Sequence, residues 1–511
     1  MATPVLTAIN LDTLADAEST TGWFGASVGL DNEVFIQGSN SIGGEFRSDL
    51  QTQGYANASA PSGAGKTFRG WWNFTFVSFL DTEANGGMEF FMGDGARQFK
   101  TVAGSDTYAG GWFYVVASTG QFTSLTAANI DEWGFRFNRT SQPRKLRNMY
   151  TDYFIYMDGY NITGGTSGDP VTLADVATVD RSNSYGVVQN VDGAFFCTGE
   201  LQVGSGATAT DFDMDGNVLI FTEQDVDANL YEFRARGSGL NIELKNSLFQ
   251  STGFSSDNTR FNFDLNDANI TLSNSNCALQ RANTVAFNSN QTINGWSFTN
   301  CNAVTTNGAT LDACTFTNTN AVAACNVSNL DQVDGCTFIG NNSSHAVQLT
   351  QVPSNGVTMQ WNCTADSSYT SGLPATVTTT NTDAHIFVTD TTSNNLTISV
   401  SAGATVPSVR LGAGYTGTVT VVSGQATLTI TNVVTDSDVV IYTAGTTTKL
   451  QDDQDIAGTS SAYTYTFVAS TFVDVKVYRD GYVPYFVYGF ELGSANASLP
   501  VAQVLDRNYV P

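Results

Sequence analysis

Two histidines, His345 and His385, are all that this 511-residue chain contains. Imidazole acid–base chemistry therefore has little material, and serines with no paired histidine argue against a nucleophilic triad. Positive charge is also scarce. Against 47 Asp and Glu the chain has 21 Lys and Arg, giving a net charge of −26 and a pI near 4.1. A surface this acidic repels nucleic acid and anionic lipid over a Debye length, so no nucleic-acid partner is expected. No stretch approaches 18 apolar residues, so no membrane span is expected either. The start, residues 1–20, lacks the charged and apolar regions of a signal peptide, and the first basic residue is Arg47. Synthesis and folding in a cytoplasm follow as the expectation. Among Cys197, Cys277, Cys301, Cys314, Cys325, Cys336 and Cys363 there is no CxxC pair and no Cys/His metal spacing. An odd set of this kind reads as reduced, buried small hydrophobes.

Charged residues make up only 13% of the chain, about half the usual globular share. Thr, Ser, Asn and Gly fill the gap, and the last two are poor helix formers. The 33 Phe, 19 Tyr and 7 Trp supply bulk for real cores. Many short stretches alternate apolar and polar residues with period two, and no long window has helical spacing. The fold class is all-β, and the length suggests about three domains.

Residues 1–165 hold five of the tryptophans. In Trp133-Gly-Phe135-Arg-Phe137 the odd positions are aromatic, as in a strand with one buried face. Similar runs at 71–80, 88–92, 112–117 and 153–157, with Gly- and Asp-rich turns between them, predict a β-sandwich or jelly roll. Gly164, Gly165 and Ser167–Pro170 read as a linker.

Residues 171–370 repeat short apolar pairs inside Asn/Thr/Ser text. Asn269-Ile-Thr-Leu-Ser-Asn274, Trp296-Ser-Phe-Thr-Asn300, Cys314-Thr-Phe-Thr-Asn318 and Cys336-Thr-Phe-Ile-Gly-Asn341 are the clearest copies. With Leu248, Leu272, Phe298, Phe316, Phe338 and Met359 as register marks, the spacing is about that of one rung of a parallel β-helix. Each rung then buries its apolar residue by stacking on its neighbours, with Phe and Cys in inner columns and Asn at left-handed turns. Residues 371–432, Thr/Val-rich and strictly alternating, either continue the stack or form a connecting sandwich. Residues 433–511 read as a small β-sandwich with a turn at Asp480-Gly481 and an edge or bulge at Pro484.

Few segments could carry chemistry. Ala60–Thr67 loosely matches a phosphate-binding loop, but strand text comes where a helix N-terminus is needed. Asp211, Asp213, Asp215 and Asn217 place oxygen ligands at alternate positions around Gly216, as a calcium loop does. The acid expected at the last loop position is displaced, with Thr222 there and Glu223 one place late. An Asp-rich turn explains the same residues, so the expected cofactor is none, with calcium the single candidate. A glycosidase needs two carboxylates a few ångströms apart; Asp264, Asp267, Asp312, Asp331 and Asp334 are the candidates in the rung region. Trp71, Trp72 and Tyr153 could stack on sugars, although most aromatics here must form core.

The text Asp12–Trp23, Val34–Ile42, Asn183-Ser-Tyr-Gly-Val187, the Thr-Phe-Thr-Asn rungs, His345-Ala-Val347 and Val473–Tyr482 resembles a family of virion structural proteins of marine tailed bacteriophages. The resemblance spans most of the chain. It implies a concanavalin-like, lectin-like jelly roll, then a right-handed pectate-lyase-like β-helix, then an immunoglobulin- or prealbumin-like end domain. No catalytic residue is carried over by it. The expected role is structural or adhesive, as a capsid decoration or a tail-fibre-like appendage made in the host cytoplasm. Other virion proteins, copies of the same chain and a host-surface glycan are the expected partners. The alternative is a tailspike-type polysaccharide depolymerase acting on the β-helix.

Overall fold

The computed structural model describes residues 2–25, 28–33, 35–46, 52–74, 88–101, 112–137, 147–222, 231–251, 261–373, 375–401, 403–422, 425–466, 471–493 and 496–507. It is all-β, with 52% of residues in strands and 5% in helices. The chain divides into two compact units, Met1–Ala286 and Phe287–Pro511.

The first unit begins with two antiparallel sheets. One orders Phe113–Ser118, Thr67–Phe74, Arg147–Tyr156, Ser41–Phe46 and Gly29–Asp31, with Asp12–Ala15 also paired to Arg147–Tyr156. The other orders Trp23–Gly25, Thr52–Ala56, Glu132–Phe137, Met88–Gly93 and Arg97–Thr101. Their shared core contains Trp23, Phe68, Trp72, Phe90, Trp133, Phe135 and Phe154. Alternation places Trp133 and Phe135 inward, as their spacing predicts, and leaves Arg136 half-buried. Of the predicted strand 71–80, residues 75–80 lie outside the described residues, as does Val34.

A buried arginine joins these sheets to the segment 157–198. Arg69 is fully buried and donates to the carbonyls of Met157, Gly186 and Thr198 and to the Thr198 hydroxyl. Asp180, also fully buried, accepts the backbone N–H groups of Gly186, Val187 and Val188. Asp180 lies on a helix, Leu173–Asn183, that the sequence reading did not foresee. Its signals were present: Leu173, Val176, Ala177 and Asp180 fall on one buried face, and Thr172 and Asp175 form a capping box.

From Gly159 onward the chain visits three sheets in turn. Glu200–Val203, Thr210–Asp213 and Val218–Phe221 lie in different sheets, and the next three strands pair with them in parallel. Leu201, Phe233 and Phe263 are thus successive register partners, 32 and 30 residues apart. At the start, Gly159 lies so close to Glu200 that a Cβ would fall 1.9 Å from the Glu200 carbonyl oxygen, so only glycine fits.

The second unit repeats the pattern. Ser297–Cys301, Thr315–Thr319 and Thr337–Ile339 pair in parallel. So do Ala323–Val327, His345–Leu349, Ile386–Val388 and Val409–Leu411. Phe298, Phe316 and Phe338 form one column, ring on ring at 4.9 Å and within 16° of parallel. Leu248, Leu272 and Met359 are not on such a column. Phe249, not Leu248, is the fully buried partner of Leu279. Leu272 pairs with Ile242 in another sheet, and Met359 pairs with Ile398 in another again. Two adjacent apolar residues leave the phase of a strand open, and strands of different sheets share the same text.

All seven cysteines are free and buried. Cys314, Cys336 and Cys363 occupy successive windings, each thiol donating to a carbonyl one winding back, on Ile293, Leu311 and Val333. Asn300 and Asn318 take left-handed φ values of 53° and 49°, inside the strands Ser297–Cys301 and Thr315–Thr319 rather than at the turns between strands. Asparagine side chains bridge successive windings, to the backbone as Asn320 donates to the Asn300 carbonyl and Asn341 to that of Thr319, and to another asparagine side chain as Asn283 donates to Asn262.

Val357–Trp361, Leu396–Val400 and Val419–Val422 continue the parallel pairing through the 371–432 text. The strand Gln425–Thr431 does not. It pairs antiparallel with Ser460–Thr466 and parallel with Ala497–Pro500, so the final two-sheet region begins before residue 433. Facing it are Lys449–Ile456, Ser437–Thr443, Phe472–Tyr478 and Tyr485–Glu491, over a core of Leu428, Ile430, Val439, Ile441, Val473, Val475 and Val477. Pro484 falls between Tyr482–Val483 and Tyr485–Glu491, the latter the edge strand of its sheet. Phe467 and Gly424 lie outside the described residues. Among the described residues no helix is long and apolar enough to cross a membrane.

Candidate functional site

The Asp211–Asn217 segment is the end of one strand and the turn into the next. Asp211 and Asp213 face outward beside the buried Phe212. Asp213 accepts the Asp215 backbone N–H at 2.7 Å, Asp215 and Gly216 take positive φ, and Asn217 donates to the Met214 carbonyl. Asp211 accepts from Asn241 on the adjacent strand. These contacts make a turn and do not gather the four side chains into a ligand shell. Among the described residues no group of three or more His, Cys, Asp or Glu is placed to hold a metal. Thr222 is buried, and Glu223 lies outside the described residues.

The same face carries a shallow groove of about 300 Å³, lined by Ser167, Pro170, Asp211, Asp213, Asn241, Glu243, Thr271 and Ser273. Asp213 and Glu243 are register partners. Partial burial, with the charges of Glu243 and Asp215, holds the Asp213 carboxyl above its usual range. Sequence reasoning missed Glu243 because 30 residues separate it from Asp213.

Of the five candidate carboxylates, the fold brings two together. Asp312 and Asp334 are register partners on adjacent parallel strands, beside the inward-facing Leu311 and Val333. Asp334 accepts from Asn362. The others are tied elsewhere: Asp264 to Arg236, Asp267 to the backbone N–H groups of Gly237 and Asn269, Asp331 to that of Gln360.

The proposed sugar-stacking aromatics are not on an open surface. Trp71 and Trp72 are 0% and 1% exposed, on opposite faces of one strand, and both faces are covered. Tyr153 is buried against Trp71, ring centres 5.6 Å apart. Residues 60–66 form a loop that leads into a strand at Thr67, not a helix, and Lys66 pairs with Asp12.

In the second unit the structure supplies what the sequence reading lacked, a histidine paired with a serine. His385 and Ser408 lie on neighbouring windings, and the Ser408 hydroxyl is 3.0 Å from His385 Nδ1. Ser408 is fully buried, so no substrate carbonyl can reach it and the pair is not a nucleophile and base. His385 lines a cavity of about 530 Å³ with Asp366, Tyr369, Gly372, Leu373, Ala404 and Thr405. Burial lowers its pKa to about 4, so the ring is neutral at ordinary pH. Three separate windings contribute to this cavity, and no sequence motif marks it.

No protein-family model matches the chain, and no curated protein matches it in sequence.

Proposed function

We propose that the chain is a structural and adhesive protein of a tailed-phage particle, a capsid decoration or a fibre-like appendage. In this reading the parallel windings are a right-handed β-helix. The first antiparallel sheets are a jelly roll, and the last two are an immunoglobulin- or prealbumin-like sandwich. The observation that carries the reading is like-on-like stacking. Phe lies on Phe and Cys succeeds Cys at successive register positions, so each winding buries its inward side chains against its neighbours. Outward positions are largely Thr, Asn and Ser, whose hydroxyls and amides suit contact with neutral glycans and with other particle proteins. The strong net negative charge keeps many copies soluble before assembly. Gold-labelled antibody against the chain, applied to purified particles, tests this: labelling of the exterior supports it, and absence of the chain from particles refutes it.

The second reading, a polysaccharide depolymerase, is favoured by one observation: Asp312 and Asp334 stand side by side in register. Adjacent parallel strands lie ~4.8 Å apart, near the carboxyl separation a retaining glycosidase uses.

A further inference from the structure

The final region contains one sheet, ordered Lys449–Ile456, Ser437–Thr443, Phe472–Tyr478 and Tyr485–Glu491, whose two edges are finished differently. An edge strand offers unpaired N–H and C=O groups to any other strand, and charged side chains normally block it. Lys449–Ile456 is blocked in this way, by Lys449, Asp452, Asp453 and Asp455. Tyr485–Glu491 is not. It runs Tyr-Phe-Val-Tyr-Gly-Phe-Glu, with no charge before Glu491, and none of its residues is buried. Its only strand partner among the described residues is Phe472–Tyr478.

Exposed apolar side chains collect on the same margin. Phe486 and Tyr488 are 41% and 67% exposed. Their rings lie 6.0 Å apart on the outer face, while Tyr485 and Val487 turn inward onto the core. Val483, one proline away, is exposed and pairs with the exposed Val504, next to the exposed Leu505. Single exposed apolar residues need no explanation, but a group of them does. A bulge bounds the regular part of the strand. There the Gly489 N–H donates to the Asp474 carboxylate at 2.9 Å, back toward the neighbouring strand. At the other end Pro484 has no N–H to pair. Tyr485–Tyr488 is the stretch left open.

We infer that this edge pairs with the same edge of a second copy of the chain, antiparallel about a twofold axis at Val487. The axis sets Val487 opposite Val487 of the partner subunit, and each Phe486 opposite Tyr488 of the partner subunit. Opposed residues of an antiparallel pair share a face, and this register puts outward rings on outward rings and inward side chains on inward ones. A shift of one residue would mix the faces. A shift of two would bring Pro484 or the bulge into the pairing. A second copy is the occupant because the edge is complementary to itself, as an isologous contact requires. The same aromatic pair forms twice, and no charge lies between Val483 and Phe490 for a like charge to meet. Two copies of a chain of net charge −26 repel over most of their surface. The blocked edge would set Asp452 and Asp453 against their own copies. The inference uses the end sheet alone and does not depend on the particle reading.

Sedimentation equilibrium of the full-length chain should show a reversible balance of monomer and dimer. Phe486→Lys and Tyr488→Lys change exposed side chains, so each should leave the melting temperature unmoved and weaken dimerisation at least tenfold. Cross-linking reads the register, and the seven native cysteines are buried. Phe486→Cys mixed with Tyr488→Cys should form a disulfide-linked dimer in oxidised glutathione faster than either variant alone. Leu450→Cys, exposed on the blocked edge, should not. If either lysine variant fails to fold, the cross-linking decides. A wild-type chain that stays monomeric at every concentration overturns the inference, and this is the result if the edge instead receives a different protein. An oligomer of any size that both lysine variants retain overturns it too, as does cross-linking through Leu450→Cys but not through the Phe486→Cys and Tyr488→Cys mixture.

Discussion

The aromatic cores of two regions are built differently. In the antiparallel sheets between Trp23 and Tyr156 the rings meet at widely varied angles, from 24° for Phe68 on Phe90 through 52° for Trp23 on Phe154 to 85° for Phe90 on Phe122. In the windings Phe298, Phe316, Phe338 and Trp361 lie one on another within 16° of parallel. In-register parallel strands are related by translation of ~4.8 Å, so like residues must repeat the same rotamer at that spacing. Sheets that face each other have no such relation, and their rings pack at no common angle. Damage should therefore travel differently: along a column in the windings, through a shared core in the antiparallel region.

The largest effect should come from breaking the column. Phe316→Ala is expected to cost ~3–5 kcal/mol through lost burial and a cavity. Phe316→Asp should cost more, because a carboxylate is buried unpaired or the winding opens. Thermal unfolding with limited proteolysis should show cleavage near 298–338 while fragments of the 2–156 region persist. Equal protection of both regions would remove the distinction drawn here.

Arg69→Met comes next. It strands the carbonyls of Met157, Gly186 and Thr198 and leaves Asp180 without its nearest buried cation, a class of change that costs ~3–5 kcal/mol. Chemical denaturation should show the loss, and a change below about 1 kcal/mol would mean the arginine is dispensable.

Asp152 offers a pH-dependent contrast. Burial raises its carboxyl pKa from 3.8 to about 7, although the N–H groups of Ile36 and Gln37 oppose the shift. The folded state thus holds a proton that the unfolded chain releases, and stability falls as pH rises from about 4 to about 7. Asp152→Asn should abolish that part of the pH dependence of the melting temperature. His385, with its lowered pKa, acts in the opposite sense: stability lost through it appears as pH falls from 6.5 towards about 4.

The smallest effects should fall on Thr315 and Thr317, half-buried on either side of Phe316. Thr315→Asp and Thr317→Asp should each stay within about 1 kcal/mol. If one of them unfolds the protein while Phe316→Asp does not, the register is inverted.

Much of this was legible in the residues. Cys-Thr-Phe-Thr-Asn repeats closely enough that Phe298, Phe316 and Phe338 align from the residues alone, because translation demands repetition. Leu248 failed as a mark because Phe249 beside it is equally apolar. The helix Leu173–Asn183 carried a readable cap but only three turns of pattern within polar text. Trp71 and Trp72, read as possible sugar platforms, are both covered because a sheet packed on two faces hides consecutive residues. Asp312 and Asp334 were legible as candidates, but their adjacency depends on the winding length between them. The His385 pocket was not legible at all, since Asp366, His385 and Thr405 meet only through the stacking of separate windings.

The central claim, a scaffold that holds glycan without cutting it, is tested most directly by reducing-end release from host polysaccharide incubated with the purified chain. The account predicts no release above a heat-denatured control over many hours. Steady release that is lost in both Asp312→Asn and Asp334→Asn would contradict it.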